Sequence, residues 1–126
     1  MVNDFNNGTV GWTDWNILVD ENGGPNHVGN FCFAPVIGDT KKGELTFTNS
    51  FYYIGHFSKF IRPGARRIIS SSNRDMLETT AFKNVDGKIA VVVMNRSDKS
   101  VPYFLWMNNK AAKMVSLPHS IATLLF

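Results

Sequence analysis

The chain has 126 residues, 44% of them hydrophobic and 13% aromatic, enough for one ordinary domain with its own core. No run approaches the ~20 apolar residues of a membrane helix, Met1 to Asn6 has neither the basic nor the apolar region of a signal peptide, and the single cysteine, Cys32, excludes an internal disulfide and a cysteine-based metal cage. The net charge of +3 hides six acids against two lysines in residues 1–50, and eleven Lys and Arg against four acids in residues 51–126; these bases are scattered and lie in no compact nucleic-acid motif, so a solvated face is expected.

Val10 to Trp15 reads as a short strand, and Ile17-Leu18-Val19 continues it or begins another. Asp20 to Asn26, with Gly23-Gly24-Pro25, is a turn-rich loop. Phe31 to Ile37 is apolar and extended, and Pro35 within it points to an edge position or a bulge. Lys42-Gly43 then turns into Glu44 to Phe47, a hairpin partner. The spacing predicts one helix, Ser50 to Ile61, capped by Thr48, Asn49 or Ser50. Its apolar stripe is Tyr53, Phe57, Phe60 and Ile61, with Ile54 nearby, and Pro63-Gly64 stops it.

Beyond Gly64 the period changes to two. Arg67–Ser71, Leu77–Phe82, Lys88–Met94, Val101–Trp106, Ala112–Val115 and Ser120–Leu125 read as six strands, with Asp86-Gly87 the strongest hairpin signal. Six short strands without helices indicate an antiparallel β-sandwich. The fold class is therefore mainly β. Residues 1–62 read as the end of an α/β unit with irregular β insertions, and 63–126 as most of a sandwich.

The densest chemistry lies near the start. Gly11-Trp12-Thr13-Asp14-Trp15-Asn16 and then Glu21 to Asn26 mix tryptophan with carboxylates and amides. Exposed Trp and unpaired buried Asp are both costly, so packing alone rarely explains such a block, whereas a sugar cleft uses flat aromatic faces and hydroxyl-binding polar groups. Strand alternation would set Trp12 and Asp14 on the face opposite Thr13 and Trp15. Asp14 then reads as a carboxylate supporting the site and Trp12 as core. Cys32 is expected to be a buried, inert thiol. His27, His56 and His119 share no metal-ligand spacing, and no metal site is expected. Asn7-Gly8-Thr9 and Asn95-Arg96-Ser97 both fit the glycosylation signal.

These blocks, with Asn30-Phe31, Gly55-His56-Phe57-Ser58-Lys59-Phe60-Ile61 and Val91-Val92-Val93-Met94-Asn95-Arg96-Ser97, resemble glycoside hydrolase family 30, in its glucosylceramidase branch. The resemblance covers essentially the whole chain. It implies a (β/α)8 catalytic TIM barrel fused to a β-sandwich. Val10 to Trp15 would be barrel strand eight, 17–47 part of a small inserted sheet and Ser50 to Ile61 helix eight; 63–126 would be the C-terminal part of the sandwich. The sandwich of the family also takes strands from the N-terminus.

Members are retaining β-glycosidases with an acid/base and a nucleophile glutamate, whose carboxyls must lie ~5–5.5 Å apart. By the resemblance, both lie upstream of Met1. None of Glu21, Glu44 and Glu78 matches a catalytic motif, and this chain by itself is expected to be inactive. What it would supply is one wall of the pocket: Trp15 lining the glucose subsite, Asn30 bonding a hydroxyl and Phe31 beside it, with Asp14 supporting. No cofactor is implied. The partners implied are a β-glucoside or glucosylceramide, the barrel of the same protein and peripheral contact with a lipid surface, with no nucleic acid. The location implied is secreted, periplasmic or cell-surface in a bacterium, lysosomal in an animal. A β-1,6-glucanase of the same family is an alternative. So is a non-catalytic carbohydrate-binding or bracing sandwich, although alternation divides Tyr103 from Phe104 and Trp106.

Overall fold

A computed structural model describes all 126 residues. The chain forms two compact units, one from Gly11 to Gly55 and the other from Met1–Val10 with His56–Phe126.

The Gly11–Gly55 unit is built on a three-stranded sheet. β1 (Leu18–Asp20) pairs parallel with β2 (Val36–Asp39), which pairs antiparallel with β3 (Glu44–Phe47). The β2–β3 turn is held by Asp39, whose Oδ1 accepts the amides of Lys41 and Lys42 at 3.0 and 2.9 Å. The extended run from Phe31 joins the ladder only at Val36, because Pro35 has no N–H to donate. Its carbonyl is used instead by Thr48, which donates from both its amide and its hydroxyl. The Thr48 carbonyl in turn accepts the Phe51 amide, so one residue ties the lead into β2 to the first turn of the following helix.

Val10 to Trp15 forms no strand. A strand exists only as part of a ladder, and no segment of the chain pairs with these residues. The alternation argument for Trp12 and Asp14 therefore has no footing here, and Trp12 is 39% exposed rather than core.

The second helix of the chain, α2, runs Asn49–Ser58 and stops a turn short of Ile61. Asn84 accounts for the early stop: its Oδ1 accepts the Arg62 amide at 2.9 Å and its Nδ2 donates to the Phe60 carbonyl at 2.9 Å. Those bonds replace the ones a further helical turn would make.

In the other unit the six strands expected are present and all pairings are antiparallel. β4 (Arg66–Ile68), β5 (Leu77–Lys83), β6 (Ile89–Asn95) and β9 (Ser120–Leu125) form a sheet in the order β4-β5-β6-β9. β7 (Val101–Met107) and β8 (Lys110–Ser116) form a separate ribbon. Its two-residue turn is Asn108-Asn109, both at positive φ (50° and 59°), the conformation that asparagine tolerates better than other non-glycine residues.

β6 reads as an unbroken apolar run because both of its faces are buried. Val91 and Val93 pack with Leu77, Ala81 and Val101, and Tyr103 and Leu105 of the ribbon close over them. Val92, on the opposite face, packs with Phe57 and with Val2 of a short helix, α1 (Val2–Asn6). No helical pattern marks α1 in the sequence. A five-residue helix has too few bonds to be stable from propensity alone. It forms on the sheet, with Phe5 against Phe57 and Phe82 at 5.6 Å and Asn6 Nδ2 donating to the Thr79 carbonyl at 2.8 Å.

The ribbon covers only part of the four-stranded sheet. Beside β7 it leaves a cleft of about 780 Å³, floored by Leu77, Val91 and Val93 and rimmed by Ser72, Asn73 and Arg74. Burial there pushes the Tyr103 hydroxyl above its ordinary pKa.

Candidate functional site

The three residues expected to bind sugar, Trp15, Asn30 and Phe31, and the supporting Asp14 lie in the Gly11–Gly55 unit, on segments that lead into strands. Trp15 stands three residues before β1, and Asn30 and Phe31 stand shortly before β2. Because β1 and β2 run parallel with Leu18 opposite Val36, both leads arrive at the same end of the sheet. The Val36 amide donates to the Ile17 carbonyl at 3.1 Å and fixes that register at its first residue.

The loop between the strands is shaped by Asp20. Its Oδ1 accepts the amides of Asn22 and Gly24, both at 2.8 Å, while its own amide donates to the Gly24 carbonyl. This turn brings Gly23 against the far limb of the loop, where the Cys32 amide donates to the Gly23 carbonyl at 3.1 Å. Gly23 has φ +72°, and a Cβ on it would lie 2.6 Å from the Cys32 carbonyl oxygen. Only glycine satisfies both the backbone angle and the contact. Asn30 and Phe31 are thus carried on a limb stapled at Cys32. The signal in the sequence is Asp20-Glu21-Asn22-Gly23-Gly24, whose first role is to make this turn.

Trp15 and Phe31 present their rings to solvent, at 76% and 77% exposure. No hydrogen bond or ring pair joins Trp15 to Phe31 or to Asn30. Asp14 Oδ1 accepts the Trp15 amide at 2.9 Å, a local bond that sets the backbone carrying the tryptophan. The Cys32 thiol, expected to be buried, is half-exposed and donates to the Asn30 carbonyl at 3.5 Å. With its limb on the surface, there is no core for it to enter.

The glutamates are committed elsewhere. Glu21 accepts the Thr40 amide and hydroxyl, both at 3.0 Å; the Thr40 amide bond is the main cause that holds its pKa below the usual carboxylate range. Glu78 pairs with Arg96 at 2.9 Å, and Glu44 lies exposed on β3. The unit therefore offers the two exposed aromatic faces of Trp15 and Phe31, the kind of surface that stacks on a pyranose ring.

Comparison with known proteins accords with this composition. Residues 1–61 match the glycosyl hydrolase family 30 TIM-barrel domain, and 64–124 the glycosyl hydrolase family 30 beta sandwich domain. The chain is 47% identical over 95 residues to the lysosomal acid glucosylceramidase of Mus musculus, covering 74% of this chain and 18% of that protein. It is 41% identical over 107 residues to putative glucosylceramidase 2 of Caenorhabditis elegans, covering 83% and 20%. It thus spans about a fifth of the length of these relatives. Among solved structures, SrfJ from Salmonella typhimurium superposes with a TM-score of 0.95 at 38% identity, over 99% of this chain and 28% of that one. The endo-β1,6-glucanase BT3312 follows at 0.85 and 26%, over 97% and 28%. With two adjoining matches to one family across almost its whole length, and a solved structure that superposes on 99% of it, this chain belongs to glycosyl hydrolase family 30.

Proposed function

We propose that this chain is the C-terminal part of a retaining β-glucosidase of the glucosylceramidase type. In this reading residues 1–62 are the end of the catalytic barrel with its small inserted sheet, and 63–126 the sandwich that braces it. Trp15 stacks on the glucose ring, Asn30 bonds a sugar hydroxyl, Phe31 flanks the ring and Asp14 orients Trp15. The two catalytic glutamates come from the rest of the protein. The cleft beside β7, with its apolar floor, is where further strands of that protein complete the sandwich. The substrate is glucosylceramide or a related β-glucoside, met at a lipid surface, and the compartment is lysosomal in an animal and extracytoplasmic in a bacterium.

The observation that carries the reading is the pair of exposed rings, Trp15 and Phe31, at one end of the parallel β1–β2 pair, in a chain of glycosidase family. Identity with the mouse lysosomal glucosylceramidase supports the choice of glucoside. A second reading, hydrolysis of a β-1,6-linked glucan, is favoured by the structural likeness to an endo-β1,6-glucanase.

The test is made on the longer protein that carries this chain, assayed on glucosylceramide and on a β-1,6-glucan. Cleavage of the glycolipid with retained anomeric configuration is expected, and Trp15→Ala should lower kcat/KM at least about tenfold, the loss of one stacking contact of ~1.4 kcal/mol. Cleavage of the glucan alone would favour the second reading. An unchanged Trp15→Ala variant would remove Trp15 from the pocket.

A further inference from the structure

We propose that Asp20 is a positioning residue for sugar binding: through one peptide unit, Gly23–Gly24, its carboxylate sets where Asn30 and Phe31 stand. This rests on the pocket role proposed for those two residues.

Residues 21–35 lie between β1 and β2 and enter no ladder. A segment this long without secondary structure holds one conformation only where it is tied down, and such segments are commonly functional. From Pro25 to Ala34 a single backbone–backbone hydrogen bond ties it, from the Cys32 amide to the Gly23 carbonyl at 3.1 Å. At the far end the Thr48 hydroxyl donates to the Ala34 carbonyl at 3.2 Å. Asn30 and Phe31 immediately precede the Cys32 tie, so the place of the Gly23 carbonyl governs theirs.

That carbonyl shares its peptide unit with the Gly24 N–H, and a planar trans peptide points the two in opposite directions. The Gly24 N–H donates to Asp20 Oδ1 at 2.8 Å. One rigid plane is therefore bonded to the carboxylate on one edge and to the Asn30–Phe31 limb on the other. Asp20 Oδ1 also accepts the Asn22 amide at 2.8 Å, and the Gly23 amide donates to the Asp20 carbonyl at 3.0 Å, which holds the plane against rotation. Both glycines are buried, so water does not take over these bonds. Bonds to a carboxylate are stronger than those between neutral groups, and bonds in line through one peptide polarise each other. The neighbouring carboxylate, Glu21, is held by Thr40 and does not substitute. Asp20→Ala orphans the Gly24 N–H, frees the plane and loosens the Cys32 tie. Asp20→Asn keeps an acceptor oxygen in the same place.

The test is a mutant cycle in the longer protein that carries this chain. It is assayed on an aryl β-glucoside, with active sites counted by a fluorinated glucoside that traps the covalent intermediate. Per active site, Asp20→Ala should lower kcat/KM about tenfold, and Asp20→Asn should stay within about twofold of wild type. In an Asn30→Ala, Phe31→Ala background, Asp20→Ala should cost less than about twofold more, because the limb it positions has lost its contacts. In a Trp15→Ala background, on the other lead, it should keep its full effect. A side chain that only supports folding would lower the count of active sites without this selectivity. If Asp20→Ala yields no folded protein, Asp20→Ser, whose hydroxyl closes such a turn more weakly, takes its place in the cycle. Wild-type kcat/KM in the Asp20 variant, or an equal loss in every background, would overturn the proposal and leave the pocket reading standing. Wild-type activity of the Asn30→Ala, Phe31→Ala protein would instead overturn the pocket role of the limb, and this proposal with it.

Discussion

Single side chains set the limits of stability in several places. The Thr80 hydroxyl is fully buried on β5 with no hydrogen-bond partner. Thr80→Val keeps the shape and removes an unsatisfied donor, and should stabilise the chain by roughly 1 kcal/mol, read as a higher urea midpoint at unchanged slope. Asn95→Ala does the reverse. It leaves the carbonyls of Lys99 and Leu117 without their donor, and a loss of about 3 kcal/mol or more is expected, visible as a large drop in the thermal midpoint. Gly23→Ala forces a side chain against the Cys32 backbone at an unfavourable φ. A cost of roughly 1–3 kcal/mol is expected, with faster amide exchange confined to the 20–32 loop. The proposed sugar-binding role of Phe31 and Asn30 depends on the same loop, so that variant also tests how firmly the ring is presented.

Among the elements, the join between α2 and β9 carries a titration. The Thr123 hydroxyl donates to the His56 carbonyl at 3.1 Å and so accepts from His56 Nδ1 at 3.0 Å. Burial lowers the His56 pKa below its ordinary value, because the charged ring is poorly solvated there. The unfolded chain therefore binds the proton more readily than the folded one. The stability contributed by neutral His56 is fully present above the unfolded pKa of ~6.5 and is lost as pH falls through the lower folded value. Urea midpoints between pH 7.5 and about 5 should decline, and His56→Gln should flatten the decline. An equal decline in the variant would assign it to other groups.

Over the whole molecule, open edges dominate. β4 and β9 end the four-stranded sheet, the β7–β8 ribbon has two free edges, and Phe104 and Trp106 point outward from it at 68% and 70% exposure. Such edges recruit other strands unless covered. The isolated chain should self-associate with concentration in sedimentation experiments, and Trp106→Lys, a charge on the exposed face of an edge strand, should weaken the association. A monomer at all concentrations would show that these edges are already protected.

Local chemistry determined much of this protein from the sequence by itself. The change of period after Pro63-Gly64 marked six strands, and turn residues divided them where the ladders end. These signals are read from neighbours within a few residues, so they survive without tertiary context. The sugar-binding role proposed for the block around Trp15 rests on the same kind of local signal, its residue types. The tertiary structure decided what depends on partners far along the chain. Val10 to Trp15 has strand composition but no neighbour to pair with. α1 has too few residues to form alone and exists by packing on β5 and β6. The Asn95 signal matches an acceptor site, yet its amide is held by carbonyls up to 22 residues away. Burial on a second face and the far partner of a hydrogen bond leave no local trace, because both are properties of the folded arrangement and not of the segment.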